Sequence, residues 1–311
     1  MKGGTSKSTY LRVSFFSLTK LKFRTPQVCG LVRRHAYSLL HVHPYANAFN
    51  FNDSNLSHGH HDDQVHPPMS AGVWEAKYEV DSLAAFLRLS RSYYQHTHDL
   101  ACFQYPDSPS LPPSASSPPS SSPSSSLWLG AVRLVLDTLQ AQQAGTLEHL
   151  PSVPPSFPPS LPPSFPYTFQ RETRVASETQ WGAAGEGGAS RRCALVRSAF
   201  RPSDDATLLP FHLPGNAMLS VELKEVGKML EEGGEEGWGE GGGEVGRRCL
   251  AMGEEIGRAV EEEGVVWVKR REGGRGGKEE AEGGGCGMEG MESVYAYEVR
   301  GQGEGGREGG R

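Results

Sequence analysis

Apolar residues recur with a helical period in five segments, and polar or compositionally biased sequence separates these segments. Residues 81–94 show the period most clearly, because one face carries Leu83, Phe86, Leu87, Ser90 and Tyr94. The other predicted helices cover residues 27–40, 127–140, 217–230 and 250–262. Few segments have the pattern of a strand, and the best of them is 265–268. The pattern therefore predicts an all-α fold with long loops.

Four biased tracts interrupt or follow these helices. Residues 106–126 and 151–165 are rich in Pro and Ser, whereas residues 231–248 and 271–290 are rich in Gly and Glu. Such sequence buries too little apolar surface to offset its ordering entropy, so all four are predicted to be disordered insertions. Residues 304–311 are predicted to form a disordered tail. The Pro-rich tracts have a second interpretation, as PxxP ligands of SH3 or WW domains.

Composition limits the size of the core and the class of partner. Only 36% of the 311 residues are hydrophobic, while Gly contributes 39 and Pro 22. The formal net charge of −6 gives no reason to expect a nucleic-acid partner. No apolar run approaches the length of about 18 residues that a membrane span needs. The five cysteines are Cys29, Cys102, Cys193, Cys249 and Cys286. Their odd number and wide spacing predict isolated thiols, with neither a disulfide framework nor a zinc site.

Residues 1–25 lack acidic side chains and contain several basic ones. This bias is typical of an organelle transit segment, and residues 10–18 resemble a weak signal-peptide core. A wrongly assigned start of translation would look the same. The segment therefore leaves the secretory pathway, an organelle and the cytoplasm open as compartments.

Three loop segments gather side chains suited to sugar chemistry. They are residues 43–50 followed by 58–63, residues 74–82, and residues 200–207. Each has a structural alternative. The His and Asp residues of 58–66 suit a metal site or a solvated loop. Trp74 and Tyr78 suit a helix face, Glu79 and Asp81 suit a capping role, and Asp204-Asp205 suit a helix start.

Together these segments fit the hydrolysis of a glycosidic bond. That reaction needs one protonated carboxyl group near the leaving oxygen and a second carboxylate that activates water or attacks carbon. Arg201 lies beside Asp204 and Asp205 in the sequence and could hold one of the two carboxyl groups ionised. The other would then remain the acid.

At these residues the chain resembles glycoside hydrolase family 125, the exo-α-1,6-mannosidases related to the fungal meiotically up-regulated family. The matching stretches are GLVRRHAYSLLHVHPYANAFN (30–50), GHHDD (59–63), WEAKYEVDSL (74–83), PYTFQRET (166–173), LVRSAFRPSDDATLLPFHLPGNAML (195–219) and VYAYEV (294–299). The R-P-S-D-D element is the most distinctive of them.

The resemblance implies a six-hairpin α/α toroid that removes terminal α-1,6-linked mannose with inversion. It implies no metal and no cofactor, and a mannose-containing glycan as the partner. The general acid then belongs to Asp204 or Asp205, with Asp204 favoured. The resemblance assigns substrate contacts to Tyr45, Asn47, His60, His61, Trp74, Lys77, Glu79, Asp81, Arg201 and Asn216.

The chain also departs from the family pattern. It contains neither the M-H-E-S-F segment that carries the family's general base nor the W-L-R-D-S loop, and Arg300 stands where the family has Asp. Residues 26–303 are therefore expected to be a partial domain, an incomplete (α/α)6 toroid with little or no activity. The alternatives are a non-catalytic mannose-binding remnant and a Pro-rich interaction protein.

Overall fold

A computed structural model describes most of the chain outside the biased tracts. The described residues are 25–50, 64–70, 72–107, 126–145, 169–180, 187–190, 192–239, 241–269 and 291–299. Five helices dominate: α1 (Thr25–Tyr37), α2 (Val80–Thr97), α3 (Leu127–Gln143), α4 (Leu213–Trp238) and α5 (Gly242–Gly264). Short turns of π-helix (Ser38–Val42) and 3₁₀-helix (Leu100–Cys102, Ala176–Glu178) accompany them. The five predicted helices are confirmed, and none of the described helices is long and apolar enough to cross a bilayer.

The described strands pair into four small antiparallel sheets. The pairs are β1 (Ala48–Phe49) with β3 (Val73–Glu75), β2 (Gln64–His66) with β4 (Gln170–Glu172), β5 (Phe211–His212) with β8 (Glu298–Val299), and β6 (Val265–Lys269) with β7 (Met291–Tyr295). The fold is thus mostly helical rather than purely α. Strands of two or three residues are too short to show an alternating pattern. They connect loops that lie far apart in the sequence.

The core packs α4 against α2 and α5, and α1 against α2 and α3. On α2, the predicted face is buried at Leu83, Phe86 and Leu87. Ser90 lies on the same face with no exposed surface, and its hydroxyl donates to the Phe86 carbonyl and accepts from the Trp128 indole, both at 2.9 Å. A polar residue on this face is therefore satisfied and ties α2 to α3.

The prediction of disorder for residues 231–248 is wrong. Helix α4 continues to Trp238 across a break at Gly234, and α5 begins at Gly242. Gly246 is a contact point between two antiparallel helices, because a Cβ there would lie 3.1 Å from the Leu230 side chain. The Trp238 ring packs on Trp128 with centroids 5.3 Å apart. Composition alone cannot separate such close packing from a flexible tract.

Substituting Gly253 on α5 should destabilise this helix pair. A Cβ there would lie 2.9 Å from the Ser220 carbonyl oxygen and 3.1 Å from the Leu223 Cβ. We expect Gly253→Val to lower the free energy of unfolding by about 2 kcal/mol, as overpacking does. The matched control is Gly30→Ala on α1, where nothing lies within 4 Å of the added carbon. The free energy of unfolding of Gly30→Ala, measured by urea denaturation, should rise by about 0.5–1 kcal/mol. An equal loss of stability in both variants would show that close packing at Gly253 is not the cause.

The prediction of isolated thiols is also wrong for two cysteines. Cys29 on α1 and Cys102 form a disulfide with their Cα atoms 5.7 Å apart. Arg33 reinforces the contact by donating to the carbonyls of Cys102 and Ala101, at 2.9 and 2.8 Å. The two cysteines are 73 residues apart in sequence, so only the packing of α1 against the end of α2 brings them together. Cys193 and Cys249 are free, and burial raises the pKa of the Cys193 thiol to about 11.

Several sequence predictions fall on residues that the structure does not describe. These are residues 1–24, the histidine-rich segment 51–63 with His60 and His61, residues 108–125, 151–165 and 271–290, and the tail. The first Pro-rich tract nevertheless has described ends. Pro106 and Ser126 form an isolated antiparallel bridge, so the tract leaves and rejoins the domain at one place.

Acid should weaken the fold through His35 on α1. Burial, and to a lesser degree the positive charge of Arg34, lowers the pKa of His35 from 6.5 to about 4. The unfolded chain binds a proton at His35 at a higher pH than the folded chain does. The contribution of neutral His35 to the free energy of unfolding is therefore fully present above pH 6.5 and is lost as the pH falls towards 4. The loss should be about 2 kcal/mol, less than the full shift implies because the side chain keeps some exposure. Urea denaturation at pH 7.5 and 4.5 measures it, and a His35→Gln variant should lose less over this range.

Candidate active site

The segment Arg201-Pro202-Ser203-Asp204-Asp205 forms a closed turn rather than the start of a helix. The Asp204 amide donates to the Arg201 carbonyl, and the Arg201 amide donates to the Asp205 carbonyl, both at 2.9 Å. Asp204 has φ of 69°, a left-handed conformation that Asp tolerates better than most residues. Phe200 and Ala206 bridge the base of the turn. We call residues 200–206 the acid turn.

Glu298 on β8 holds the acid turn in place. The Arg201 Nε donates to Glu298 Oε1 at 2.5 Å, and this hydrogen bond is the main cause that raises the pKa of Arg201. The other carboxylate oxygen accepts the amides of Leu208 and Leu209, each at 2.9 Å. The Glu298 side chain is only 6% exposed, so its charge is buried but fully bonded. Sequence reasoning did not select Glu298, although it is the Glu of the Y-A-Y-E-V motif.

A second wall faces the acid turn. It is formed by residues 173–180 around the 3₁₀ turn Ala176–Glu178, and the Ser177 carbonyl accepts the Ala206 amide at 2.9 Å. Between the walls lies an open depression of about 910 Å³, lined by Thr173, Arg174, Ala176, Ser177, Thr179, Gln180, Arg201, Asp205, Ala206, Thr207 and Leu208. Its volume suits a small ligand, and its surface is mostly apolar with several side chains that can form hydrogen bonds. Asp205 belongs to this lining, whereas Asp204 does not.

Four charged side chains, among them Glu178 of the second wall, form a compact ion cluster. Lys77 Nζ lies 3.0 Å from a Glu75 oxygen and 3.1 Å from a Glu178 oxygen. Arg171 Nη2 lies 3.1 Å from the same Glu178 oxygen and 3.8 Å from Glu75. Arg171 has no exposed surface and its guanidinium lies 5.3 Å from the centre of the Phe200 ring. Two positive and two negative charges balance in this cluster, as buried charges must.

The predicted sugar-binding loop, residues 74–82, is bonded directly to the segment that enters the acid turn. The Tyr78 carbonyl accepts the amides of Ala199 and Phe200, both at 3.0 Å. The Val80 amide donates to the Ser198 hydroxyl at 3.0 Å. The fold therefore brings three predicted residues into one region. Lys77 lies in the ion cluster, whereas Arg201 and Asp205 line the depression.

Other predicted contact residues have mainly structural positions. Asn47 accepts the Lys77 amide at 3.1 Å, and half-buried Trp74 lies in β3. The Tyr45 ring packs on Tyr78 and Phe169 in the core, its hydroxyl accepts from Gln142 at 3.2 Å, and burial raises the pKa of Tyr45.

Glu79, Asp81 and Asn216 also have structural positions. Glu79 is the N-cap of α2 and accepts from the Ser82 hydroxyl at 2.9 Å, and Asp81 lies in the first turn of the same helix. Asn216 has no exposed surface. Its amide accepts from the Val196 amide at 2.8 Å and donates to the carbonyls of Val196 and His212 at 2.9 Å. With these backbone bonds made, Asn216 supports the loop at 195–197 instead of facing a ligand.

Comparisons with known proteins extend over most of this chain. The model of the family "Metal-independent alpha-mannosidase (GH125)" matches residues 18–306. The meiotically up-regulated gene 157 protein of Schizosaccharomyces pombe is 31% identical over 281 residues, covering 89% of this chain and 44% of its own length.

A solved structure has a similar fold. It is a Streptococcus pneumoniae member of a family of metal-independent α-mannosidases, in a non-productive complex with α-1,6-mannobiose. The match has a TM-score of 0.59 and 23% identity, and it covers 90% of this chain and 50% of the other. The chain thus spans about half the length of these relatives. Because the family model covers nearly the whole chain, the protein belongs to the metal-independent α-mannosidase family GH125.

Proposed function

We propose that this chain carries the acid-bearing part of an inverting exo-mannosidase site that acts on terminal α-1,6-linked mannose. Its helices, including the antiparallel pair α4 and α5, would form part of an (α/α)6 toroid. The substrate would be a mannose-containing glycan bound in the depression between residues 173–180 and the acid turn. Family membership supports the mannosidase class, and the mannobiose complex of the pneumococcal relative supports the linkage.

The observation that carries the proposal is the acid turn itself. Arg201 is fixed by Glu298, and the turn places Asp205 in the lining of an open depression. An inverting glycosidase needs one carboxyl group positioned in this way to protonate the leaving oxygen. Sequence reasoning favours Asp204 for this role, whereas the lining favours Asp205, so the experiment treats each separately.

The second carboxyl group of the reaction would activate water on the opposite face of the sugar, roughly 6.5–9.5 Å from the first. The resemblance places that general base in an M-H-E-S-F segment, which the 311 residues do not contain. We therefore propose that a polypeptide of this sequence turns over α-1,6-mannobiose very slowly by itself. Its defect would be the activation of the nucleophile rather than the protonation of the leaving group.

An external nucleophile tests this proposal. Azide needs no general base, so it should attack the anomeric carbon while the acid protonates the leaving oxygen, giving β-mannosyl azide and free mannose. We expect azide to raise the rate of mannobiose cleavage by about 10²-fold or more, within the range of general acid–base catalysis. The azide-dependent gain in rate should vanish in one of the two variants Asp204→Asn and Asp205→Asn. The variant that loses it identifies the acid. The matched control is Asp137→Asn on α3, an exposed carboxylate paired with Arg248.

Two outcomes would contradict parts of the proposal. Fast turnover without azide that either Asn variant abolishes would show that the chain is already a complete enzyme. Binding of mannobiose without any azide-dependent cleavage would favour the alternative, a glycan-binding domain without catalysis. The hydrogen-bonding side chains in the lining support that alternative, because they can bind a sugar whether or not a base is present.

A further inference from the structure

We propose that Gln180 is a specificity-determining residue of the depression, where its side-chain oxygen accepts a hydrogen bond from one hydroxyl group of the bound glycan. The inference rests on the proposed function of the depression as a mannose site. It adds a ligand contact that neither the sequence motifs nor the resemblance assigns.

Gln180 combines two properties that are seldom found together. It lines the depression, yet its side chain is 96% buried, since only 4% of its surface is exposed. The amide nitrogen is held by the protein, because it donates to the Ala199 carbonyl at 3.3 Å. This bond also fixes which end of the amide is nitrogen and which is oxygen.

The amide oxygen of Gln180, unlike the nitrogen, has no hydrogen-bond partner among the described residues. Native proteins pair the large majority of buried polar atoms, and an unpaired acceptor in a site is costly until a ligand supplies the donor. Sugar hydroxyl groups are such donors.

The geometry allows the oxygen to reach a ligand. Oε1 is covered in this structure, so the amide must turn slightly about its last torsion, which is broad for glutamine. Because the amide is planar, the same turn also moves Nε2, whose bond to the Ala199 carbonyl is already long at 3.3 Å and therefore costs little to weaken. Gly187 packs against the amide, where a Cβ would lie 3.0 Å from Nε2. A sugar hydroxyl group that donates to Oε1 offsets this loss.

Calorimetric titration with α-1,6-mannobiose tests the role of Gln180. Gln180→Met keeps the length of the side chain and removes the acceptor, and we expect its Kd to rise about tenfold, the value of one lost hydrogen bond. The matched control is Gln143→Met on α3, which removes an amide that also donates to a backbone carbonyl, that of Ala194, at 2.6 Å outside the depression. Its Kd should be unchanged.

A series of monodeoxy mannosides identifies the hydroxyl group and does not depend on the folding of any variant. One analogue should bind the unmodified chain about tenfold more weakly than the parent sugar, and Gln180→Met should not discriminate against it. Equal affinity of the unmodified chain for every analogue would overturn the inference about Gln180 while leaving the mannose site intact. Failure of the unmodified chain to bind any mannoside would overturn the proposed function and this inference with it.

Discussion

Reducing the Cys29–Cys102 disulfide should lower the free energy of unfolding by about 4 kcal/mol, because the bond closes a loop spanning 73 residues of sequence separation. A cross-link of this span restricts the unfolded chain strongly. The corresponding fall in Tm is roughly 10 °C for a domain of this size. Thermal unfolding of the chain with and without a thiol reductant measures the change.

The control for this experiment is the Cys29→Ser/Cys102→Ser variant, which should unfold at the lower temperature and should no longer respond to the reductant. Cys193→Ala should leave both the Tm and the response unchanged, because Cys193 is a free thiol. If the reductant lowers the Tm of the double variant as much as that of the parent chain, the stabilisation does not come from this disulfide.

Replacing Arg171 with Met should destabilise the fold by about 3–5 kcal/mol, the typical cost of removing one partner from a buried ion cluster. Arg171 has no exposed surface, and its loss would leave Glu178 with Lys77 alone. Glu178 ends the 3₁₀ turn of the second wall, so the variant should also weaken mannobiose binding. Denaturation by urea and titration with the sugar measure the two effects.

Lys228→Met provides the comparison with an exposed ion pair. Lys228 lies 2.8 Å from Glu225 on α4, with 59% of its side chain exposed, and its removal should leave stability unchanged within error. Similar unfolding curves for Arg171→Met and the parent chain would contradict the assignment of the ion cluster as a support of the depression.

The sequence predicts the helices well and their connections poorly. Helix α2 is visible because its apolar residues follow a regular period over four turns. The Gly/Glu tract from the end of α4 into α5 has no such period, and the close packing of Gly246 on Leu230 is visible only once the two helices are placed together. The disulfide likewise depends on the tertiary contact of α1 with the end of α2, which spacing along the chain does not encode.

For the candidate site, the sequence identifies the segments better than the role of each side chain. The R-P-S-D-D motif locates the acid turn, but nothing in it indicates that Glu298 holds Arg201 from a strand nearly a hundred residues away. Lys77, Tyr45 and Asn216 are polar residues in recognisable motifs, yet they are buried and bonded within the protein. Motifs mark the segments that build a site, and only the contacts separate supporting residues from those that line it.

We propose that the depression beside the acid turn binds the substrate for cleavage. A crystal structure of the chain with α-1,6-mannobiose tests it most directly. We expect the sugar to lie between residues 173–180 and the acid turn, with its glycosidic oxygen about 3 Å from a carboxyl oxygen of Asp204 or Asp205. Mannobiose bound elsewhere on the chain, with the depression occupied only by solvent, would contradict it.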